Sequence, residues 1–388
     1  MSSKIINKIS NEISTIIQKK YGKKNRYDLY IPKFHKETFQ DLKKTIKSTW
    51  VSTKGPQVGI FEKKISKFIK TKNILATNSG TSALHLAFIA IEASTNDEIL
   101  MPSLNFVASA NAALYCGANP VFIDCDTRNL GISAKEIEIF IKTKCKKKGK
   151  FYFNKRTKKK LKAVVAVHLY GNSCDIKNIK KICNKNNIYL IEDASECLGS
   201  KYKKKHLGTF GDFGVLSFNG NKVVTTGSGG AIITKKKFFY NKIKNYLNLN
   251  KSKSLDEAYI NIGYNYKMSA LSATLGLSQL NKLNYILKEK RDIFIFYKKK
   301  FNNSKYIEVI DTGNYQESNN WLVCVKLKKE YNKFQKQLLI NLNKKNIYVR
   351  PVWKPLHKLN HLKKFQKQNL KNTDHISSKL ICLPSSLR

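Results

Sequence analysis

Residues 163–193 read AVVAVHLYGNSCDIKNIKKICNKNNIYLIED. Two apolar runs, AVVAVHLYG (163–171) and IYLIED (188–193), flank a segment of helical pattern. Both runs are rich in β-branched residues and apolar at consecutive positions, as strands buried on both faces are. The alternation extends outward from about 75 to 235, with further runs EILMP (98–102), PVFID (120–124), FGVLSF (213–218) and GAIIT (230–234). Strands alternating with helices predict an α/β sheet of mostly parallel strands joined by crossover helices.

One segment interrupts the pattern. Of the 21 residues in 142–162, 12 are Lys or Arg, around an FYFN core. A solvated surface hairpin accounts for it; a nucleic-acid arm is the alternative. Outside the sheet region, residues 1–23 predict a basic amphipathic helix, because Ile5, Ile6, Ile9, Ile13, Ile16 and Ile17 recur at helical spacing. They lack the unbroken apolar core of a signal peptide. A second helix is expected around 36–49. From about 255 the texture changes. A long helix is expected from Ser269 to about Phe301, followed by short strands (WLVCVKL, 321–327; IYVRP, 347–351) among Lys-rich helices. The expected organisation is N-terminal helices (1–49), a large α/β domain (50–255), and a linking helix with a smaller C-terminal α+β domain (256–388).

The bulk numbers set limits. At 388 residues and 41% hydrophobic, the chain is long enough for two domains with a sizeable core. The formal net charge of +47 invites a polyanion partner. However, the lysines are spread along the whole chain, and Lys, Asn and Ile all have A/T-rich codons, so genome composition is the preferred explanation. No stretch of 18 apolar residues predicts a membrane span. The eight cysteines form no C-x-x-C pair, and no metal spacing emerges among them and the seven histidines. Reduced thiols and a cytoplasmic location are expected.

Three segments carry chemistry. In ATNSGTSALHLAFIAIEA (76–93), a small-residue turn opens a helix, whose unpaired N–H groups and positive dipole end suit a phosphate. Gly80 allows close backbone approach, and the Thr81 and Ser82 hydroxyls add donors; an ordinary Ser/Thr-capped helix is the competing reading. In IYLIEDASECLG (188–199), Asp193 ends a buried strand, where ligands of open α/β sheets bind. It either caps a turn or meets a cation such as a protonated pyridine nitrogen. In FGVLSFNGNKVVTTGSGGAIIT (213–234), a strand ends at Ser217, Lys222 follows, and a glycine-rich turn enters the next strand. A Schiff-base lysine needs a fixed position and an amine that gives up its proton readily.

This order of cradle, aspartate and lysine, with several longer stretches, resembles the DegT/DnrJ/EryC1/StrS family of sugar-nucleotide aminotransferases, whose fold is that of fold-type-I pyridoxal-phosphate (PLP) enzymes. The resembling stretches are WVSTKGPQVGIFE (50–62), NSGTSALH (78–85), PSLNFVASANAALYCGANPVFID (102–124), VHLYG (167–171), IEDASECLGS (191–200), SFNGNKVVTTGSGG (217–230), GYNYKMSALSATLGLSQL (263–280) and RPVWKPLH (350–357). The branch most resembled acts in legionaminic and related nonulosonic acid or bacillosamine pathways. The resemblance implies that Lys222 holds PLP as a Schiff base and shuttles protons, while Asp193 pairs with the pyridine nitrogen. It implies that Phe106 stacks on the ring, and that Gly80, Thr81, Ser82 and Ser217 surround the phosphate. Asn265 and Lys267 resemble a segment that reaches the phosphate of a neighbouring subunit, which implies a homodimer. The expected substrates are L-glutamate and a UDP-linked 4-keto-6-deoxy hexose, for surface-polysaccharide or nonulosonic acid biosynthesis. Arg350 is a candidate for steering the acidic donor and the diphosphate.

Three departures from the family pattern stand out. Glu196 replaces the Gln or His that many members carry near the cofactor's phenolic oxygen. Lys267 stands where Arg is usual. The chain stops at ICLPSSLR (381–388), where the family normally continues through a further helix. The alternatives are a sugar-dehydratase relative, disfavoured because one such branch has His in place of Lys222, and a basic nucleic-acid-binding protein on an inactive scaffold. A dinucleotide-dependent dehydrogenase fails because no strand is followed by G-x-G-x-x-G. An iron–sulfur relative fails for want of clustered cysteines. His168 and His357 are read as structural.

Overall fold

The computed structural model describes residues 2–252, 258–313 and 316–387. Helices α1 (Ser2–Tyr21), α2 (Lys36–Lys47) and α3 (Gln57–Ile69) come first. The alternating region follows as β1 (Ile74–Thr77), α4 (Gly80–Ala90), β2 (Asp97–Pro102), α5 (Ala108–Tyr115), β3 (Asn119–Ile123), α6 (Ala134–Lys144), β4 (Cys145–Lys148), β5 (Phe151–Asn154), β6 (Lys160–Val167), α7 (Ile176–Lys185) and β7 (Tyr189–Asp193). Two short strands, β8 (Lys201–Tyr202) and β9 (Lys205–His206), precede β10 (Phe213–Ser217), β11 (Gly230–Thr234) and α8 (Lys237–Leu247). The C-terminal part holds α9 (Ala270–Asn281), α10 (Leu283–Phe301), β12 (Ile307–Val309), β13 (Gln316–Glu317), β14 (Val323–Leu327), α11 (Gln335–Lys344), β15 (Arg350–Pro351), α12 (Lys371–Ser377) and β16 (Leu380–Leu383).

The main sheet runs β1–β11–β10–β7–β6–β2–β3. The five strands from β10 to β3 are mutually parallel, as the unbroken apolar runs predict. GAIIT departs from that expectation: β11 is antiparallel to both β10 and β1. The 218–229 connection contains no crossover helix, so the chain turns straight back. The four residues of β1 were too few to register as a periodic run. The basic segment is a hairpin, β4 against β5, joined to the sheet at Phe153↔Lys160. Its Lys146, Lys147 and Lys148 are exposed. Its fixed point is a buried one: Asn154 Nδ2 donates to Glu98 Oε2 at 2.8 Å and Thr157 Oγ1 to Glu98 Oε1 at 2.7 Å.

A second sheet, β12–β14–β16–β15, belongs to the C-terminal part. Its core includes the N-terminal helix: Ile9, Ile13 and Ile17 of α1 pack with Ile293, Tyr297 and Phe301 of α10 and with Val325 and Leu338. Each such buried isoleucine contributes about 1.5–3 kcal/mol of burial free energy. The helix expected from Ser269 to Phe301 is instead two helices meeting at Lys282 (φ −105°, ψ 7°). α9 packs against α2 and α3, whereas α10 serves the C-terminal core, so the chain changes direction between them. The run IYVRP is strand only at Arg350–Pro351. Its first residues bond to the N-terminal link instead, with Tyr348 N–H donating to Tyr27 O at 2.9 Å. The expected boundary at 255/256 lies outside the described residues.

Candidate active site

Parallel strands point their C-terminal ends to one edge of the sheet, and ligands gather there. Val167, Asp193 and Ser217, the last residues of β6, β7 and β10, line one cavity of about 340 Å³. Ser79, Gly80 and Thr81, at the start of α4, line it too, with Phe106, Glu196, Lys222, Trp321 and Trp353 among the remaining walls. A larger groove, about 1050 Å³ and rich in lysine, lies around Lys70, Lys205 and Arg291 and shares none of these residues.

The α4 end is built tightly. Ser79 is the N-cap, its Oγ accepting the Ser82 N–H at 3.0 Å. The Ser82 hydroxyl donates to Asn78 Oδ1 at 2.6 Å. Ser82 is thus spent on the turn and is not among the residues lining the cavity, while Gly80 and Thr81 are. A Cβ on Gly80 would stand 3.0 Å from Ser217 Cβ and 3.3 Å from Ser195 Oγ. A Cβ on Gly230 would press on the Ser79 carbonyl and stand 2.6 Å from Gly80 N. Glycine at these two places lets β10, β11 and the helix start converge.

Asp193 is buried, with its carboxylate turned to the cavity. Oδ2 accepts from Ser109 Oγ at 3.0 Å and Oδ1 from the Ser195 N–H at 3.2 Å. Ser109 is in turn reached by Asn105 Nδ2 at 2.9 Å. Glu196 lies one turn further on. Its Oε2 accepts the Tyr170 N–H at 2.7 Å, and its Oε1 stands 3.2 Å from Lys222 Nζ. Burial pushes the Glu196 carboxyl above its ordinary range, against the pull of Lys222. Lys222 itself has 13% of its side chain exposed. Its amine lies 3.9 Å from the centre of the Trp321 ring. Tyr170 stacks on Trp353 (centroids 5.2 Å, 10° between planes), and Phe106, largely exposed at the mouth, leans on Trp353 at 5.9 Å.

Of the residues singled out in the sequence, Gly80, Thr81, Phe106, Asp193, Glu196, Ser217 and Lys222 meet at this cavity. Asn265 does not: it is exposed, and its carbonyl accepts from Asn78 Nδ2 at 3.3 Å. Lys267 pairs with Thr77 beside it. Arg350 is exposed on β15, its Nη1 donating to Asn343 Oδ1 at 3.3 Å. His168 and His357 are buried and partnered, His168 Nε2 to Glu192 at 3.1 Å and His357 Nδ1 to Ser103 Oγ at 2.7 Å. Sequence reasoning missed Trp321, Trp353, Tyr170 and Ser109. Trp353, Tyr170 and Ser109 sat inside stretches already noted, RPVWKPLH, VHLYG and PSLNFVASANAALYCGANPVFID, but nothing in those stretches set them apart; Trp321 lies at the start of the apolar run WLVCVKL. Among the described residues there is no cluster of three or more metal-ligating side chains, and no helix long and apolar enough to cross a membrane.

Taken as chemistry, the cavity offers a helix N-terminus for a phosphate, a fixed carboxylate for a cation, and an amine beside a carboxylate for proton transfer. The model of the DegT/DnrJ/EryC1/StrS aminotransferase family matches residues 32–388. A GDP-perosamine synthase of Escherichia coli O157:H7 is 33% identical over 87% of this chain and 88% of its own. A UDP-4-amino-4,6-dideoxy-N-acetyl-beta-L-altrosamine transaminase of Campylobacter jejuni is 32% identical over 86% of each. The structure of Helicobacter pylori PseC, an aminotransferase involved in the biosynthesis of pseudoaminic acid, superposes with a TM-score of 0.83 at 26% identity, covering 92% of this chain and 93% of that one.

Proposed function

The chain belongs to the DegT/DnrJ/EryC1/StrS aminotransferase family, and we propose that it uses PLP to place an amino group on the keto carbon of a nucleotide-linked sugar. The residues present suit that cofactor. The glycine-lined meeting of α4, β10 and β11 leaves room for a phosphate against Thr81 and Ser217. Asp193 is oriented by Ser109 and the Ser195 N–H, as a partner for a pyridinium must be. Phe106 borders the space between, and Lys222 supplies the amine that would hold the aldehyde carbon. PLP, when bound, supplies an electron sink for the transfer.

The protein's own groups do the rest. Lys222 Nζ would take the α-proton of the amino donor in the first half of the cycle and deliver a proton to the sugar carbon in the second, a role suited to a fixed amine. Glu196 Oε1, at 3.2 Å, holds that amine on the cavity side. The aromatic wall of Phe106, Trp321 and Trp353 excludes water. L-Glutamate is the proposed donor, and a UDP-linked 4-keto-6-deoxy hexose the proposed acceptor, for surface-polysaccharide or nonulosonic acid synthesis. The name of the Campylobacter relative, a UDP-linked 4-amino-4,6-dideoxy sugar, supports that acceptor; the GDP-perosamine relative favours a GDP-linked one as the second reading. A homodimer is proposed as the working unit, with the 263–268 segment near the neighbouring subunit's cavity.

The observation that carries the proposal is the convergence of Lys222, Glu196 and Asp193 with the α4 start in one cavity. The test is borohydride trapping. Protein purified with PLP is expected to be yellow, to bleach with L-glutamate, and to yield a pyridoxyl adduct on the Lys222 peptide by mass spectrometry. Offering UDP- and GDP-linked 4-keto sugars to the bleached form then separates the two acceptor readings by which one restores the colour. A colourless protein without adduct would sink the proposal.

A further inference from the structure

The face of Trp321 covers the Lys222 amine, with Nζ 3.9 Å from the ring centre and Glu196 Oε1 at 3.2 Å from the same atom. An ammonium between a carboxylate and an indole face, partly shut off from water, is held by both. Trp321 is itself fixed at every polar atom. Its Nε1–H donates to the carbonyl of Asn221, the residue before Lys222, at 2.6 Å. Its backbone N–H donates to Asn319 Oδ1 at 3.0 Å. Asn319 Nδ2 donates onward to the carbonyls of Glu196 at 2.8 Å and Leu198 at 3.0 Å. The Trp321 carbonyl accepts from Lys290 Nζ at 2.9 Å.

Lys290 is the unusual member. It is fully buried on α10, and no ion pair to it is found among the described residues. Its amine donates also to the Ser385 carbonyl and lies 3.8 Å over the Tyr30 ring. Burial pushes it well below the usual lysine range. Burying such a group is costly, yet here it secures the one carbonyl behind the indole. The ring is therefore tied to the segments carrying Lys222 and Glu196 and braced from behind.

We infer that Trp321 is a positioning residue that parks the Lys222 amine against Glu196 whenever that amine is not bonded to the cofactor. The inference rests on Lys222 being the lysine that holds PLP. A lysine side chain left free samples many rotamers, whereas the transfer needs its nitrogen back at one place in each half of the cycle. Trp321 acts through the lysine, so its loss is expected to fall on turnover more than on the affinity for the sugar.

The test uses the full chain with Trp321→Leu, Trp321→Phe, and mono-, di- and trifluorotryptophan introduced at position 321. Fluorination keeps the ring's shape while weakening its negative face, which guards against a leucine variant that folds poorly. Two quantities are read: the acylation rate of Lys222 in the cofactor-free protein, by peptide mass spectrometry, and the single-turnover rate with L-glutamate beside KM for the nucleotide sugar. Leucine is expected to raise Lys222 acylation severalfold and slow the turnover about 10-fold, with KM within about 2-fold. Phenylalanine is expected to recover most of both, and acylation is expected to climb stepwise with fluorine. Acylation and turnover unmoved by leucine and by fluorination, or a change confined to KM, would overturn the inference while leaving Lys222 trapping intact. Wild-type protein with no adduct on Lys222 would overturn the underlying reading, and this one with it.

Discussion

The hairpin region 142–162 carries 12 basic side chains and the 218–229 loop carries one, yet the proposed chemistry gathers at the one. On the hairpin, Lys146, Lys147 and Lys148 stand in water, and Lys148 has an aromatic neighbour in Phe153 at 5.8 Å. In the loop, Lys222 also has an aromatic neighbour, but it is largely withdrawn from solvent and faced by a buried carboxylate. Exposed charges are screened and contribute little, whereas a desolvated charge with a fixed partner is constrained in position. What distinguishes the two regions is what surrounds each amine, not how many amines there are.

Removing the single loop lysine should have the largest effect. Lys222→Ala is expected to lower transamination by about 10²–10⁴-fold and to abolish borohydride labelling, while circular dichroism stays native. If labelling persisted on another lysine, the contrast between the regions would collapse. The hairpin's anchor comes next. Asn154→Ala leaves a buried oxygen of Glu98 without its donor, which costs about 1–3 kcal/mol, read as a lower denaturation midpoint. That outcome would mark the hairpin as structural at its root even though its tip is solvated.

A subtler effect concerns Glu196. Its carboxyl is raised above the ordinary 4.5, chiefly by burial, so the folded chain holds this proton where the unfolded chain releases it. The stabilisation is complete below 4.5 and is lost as pH rises through the folded-state value. Glu196→Gln should lack that decline, so the denaturation midpoint of the variant, relative to wild type, should rise between acid and neutral pH. A constant gap would mean the carboxyl titrates as in the unfolded chain. The smallest effect is expected at the hairpin tip. Lys146→Gln, Lys147→Gln and Lys148→Gln together should leave stability within about 0.5 kcal/mol and turnover within about 2-fold. A large loss of activity would reveal a steering role for the hairpin.

Much of this was legible because it is local. Asp193 and Ser217 end apolar runs, so their place on the sheet edge follows from the strand pattern alone. Gly80 and Thr81 follow a small-residue turn into a helix. The same reasoning did not foresee that Ser79 caps the helix and that Ser82 bonds to Asn78, because which of several neighbouring hydroxyls caps the helix depends on backbone angles at Ser79 that composition does not encode. Trp321, Tyr170 and Ser109 stayed hidden for a different reason. Each meets Lys222, Glu196 or Asp193 from a distant place in the chain: Trp321 through the packing of the C-terminal part against the sheet edge, Tyr170 and Ser109 through the pairing of parallel strands and the helix beside them. The antiparallel return of β11 and the break at Lys282 were missed likewise, since an apolar run does not declare its direction, nor a helical pattern its bend.

The brace behind Trp321 also has a meaning in time. Lys290 is clasped between Tyr30, near the beginning of the chain, and the Ser385 carbonyl, near its end. Ser385 N–H further bonds to Leu29 O at 2.7 Å, so the two ends close on each other at that point. A ribosome delivers residue 385 long after the sheet, its loops and Lys222 have emerged. The nascent protein therefore carries Lys222 before it acquires the support behind Trp321. Cofactor loading is expected to follow the synthesis of residue 385 rather than accompany that of the sheet.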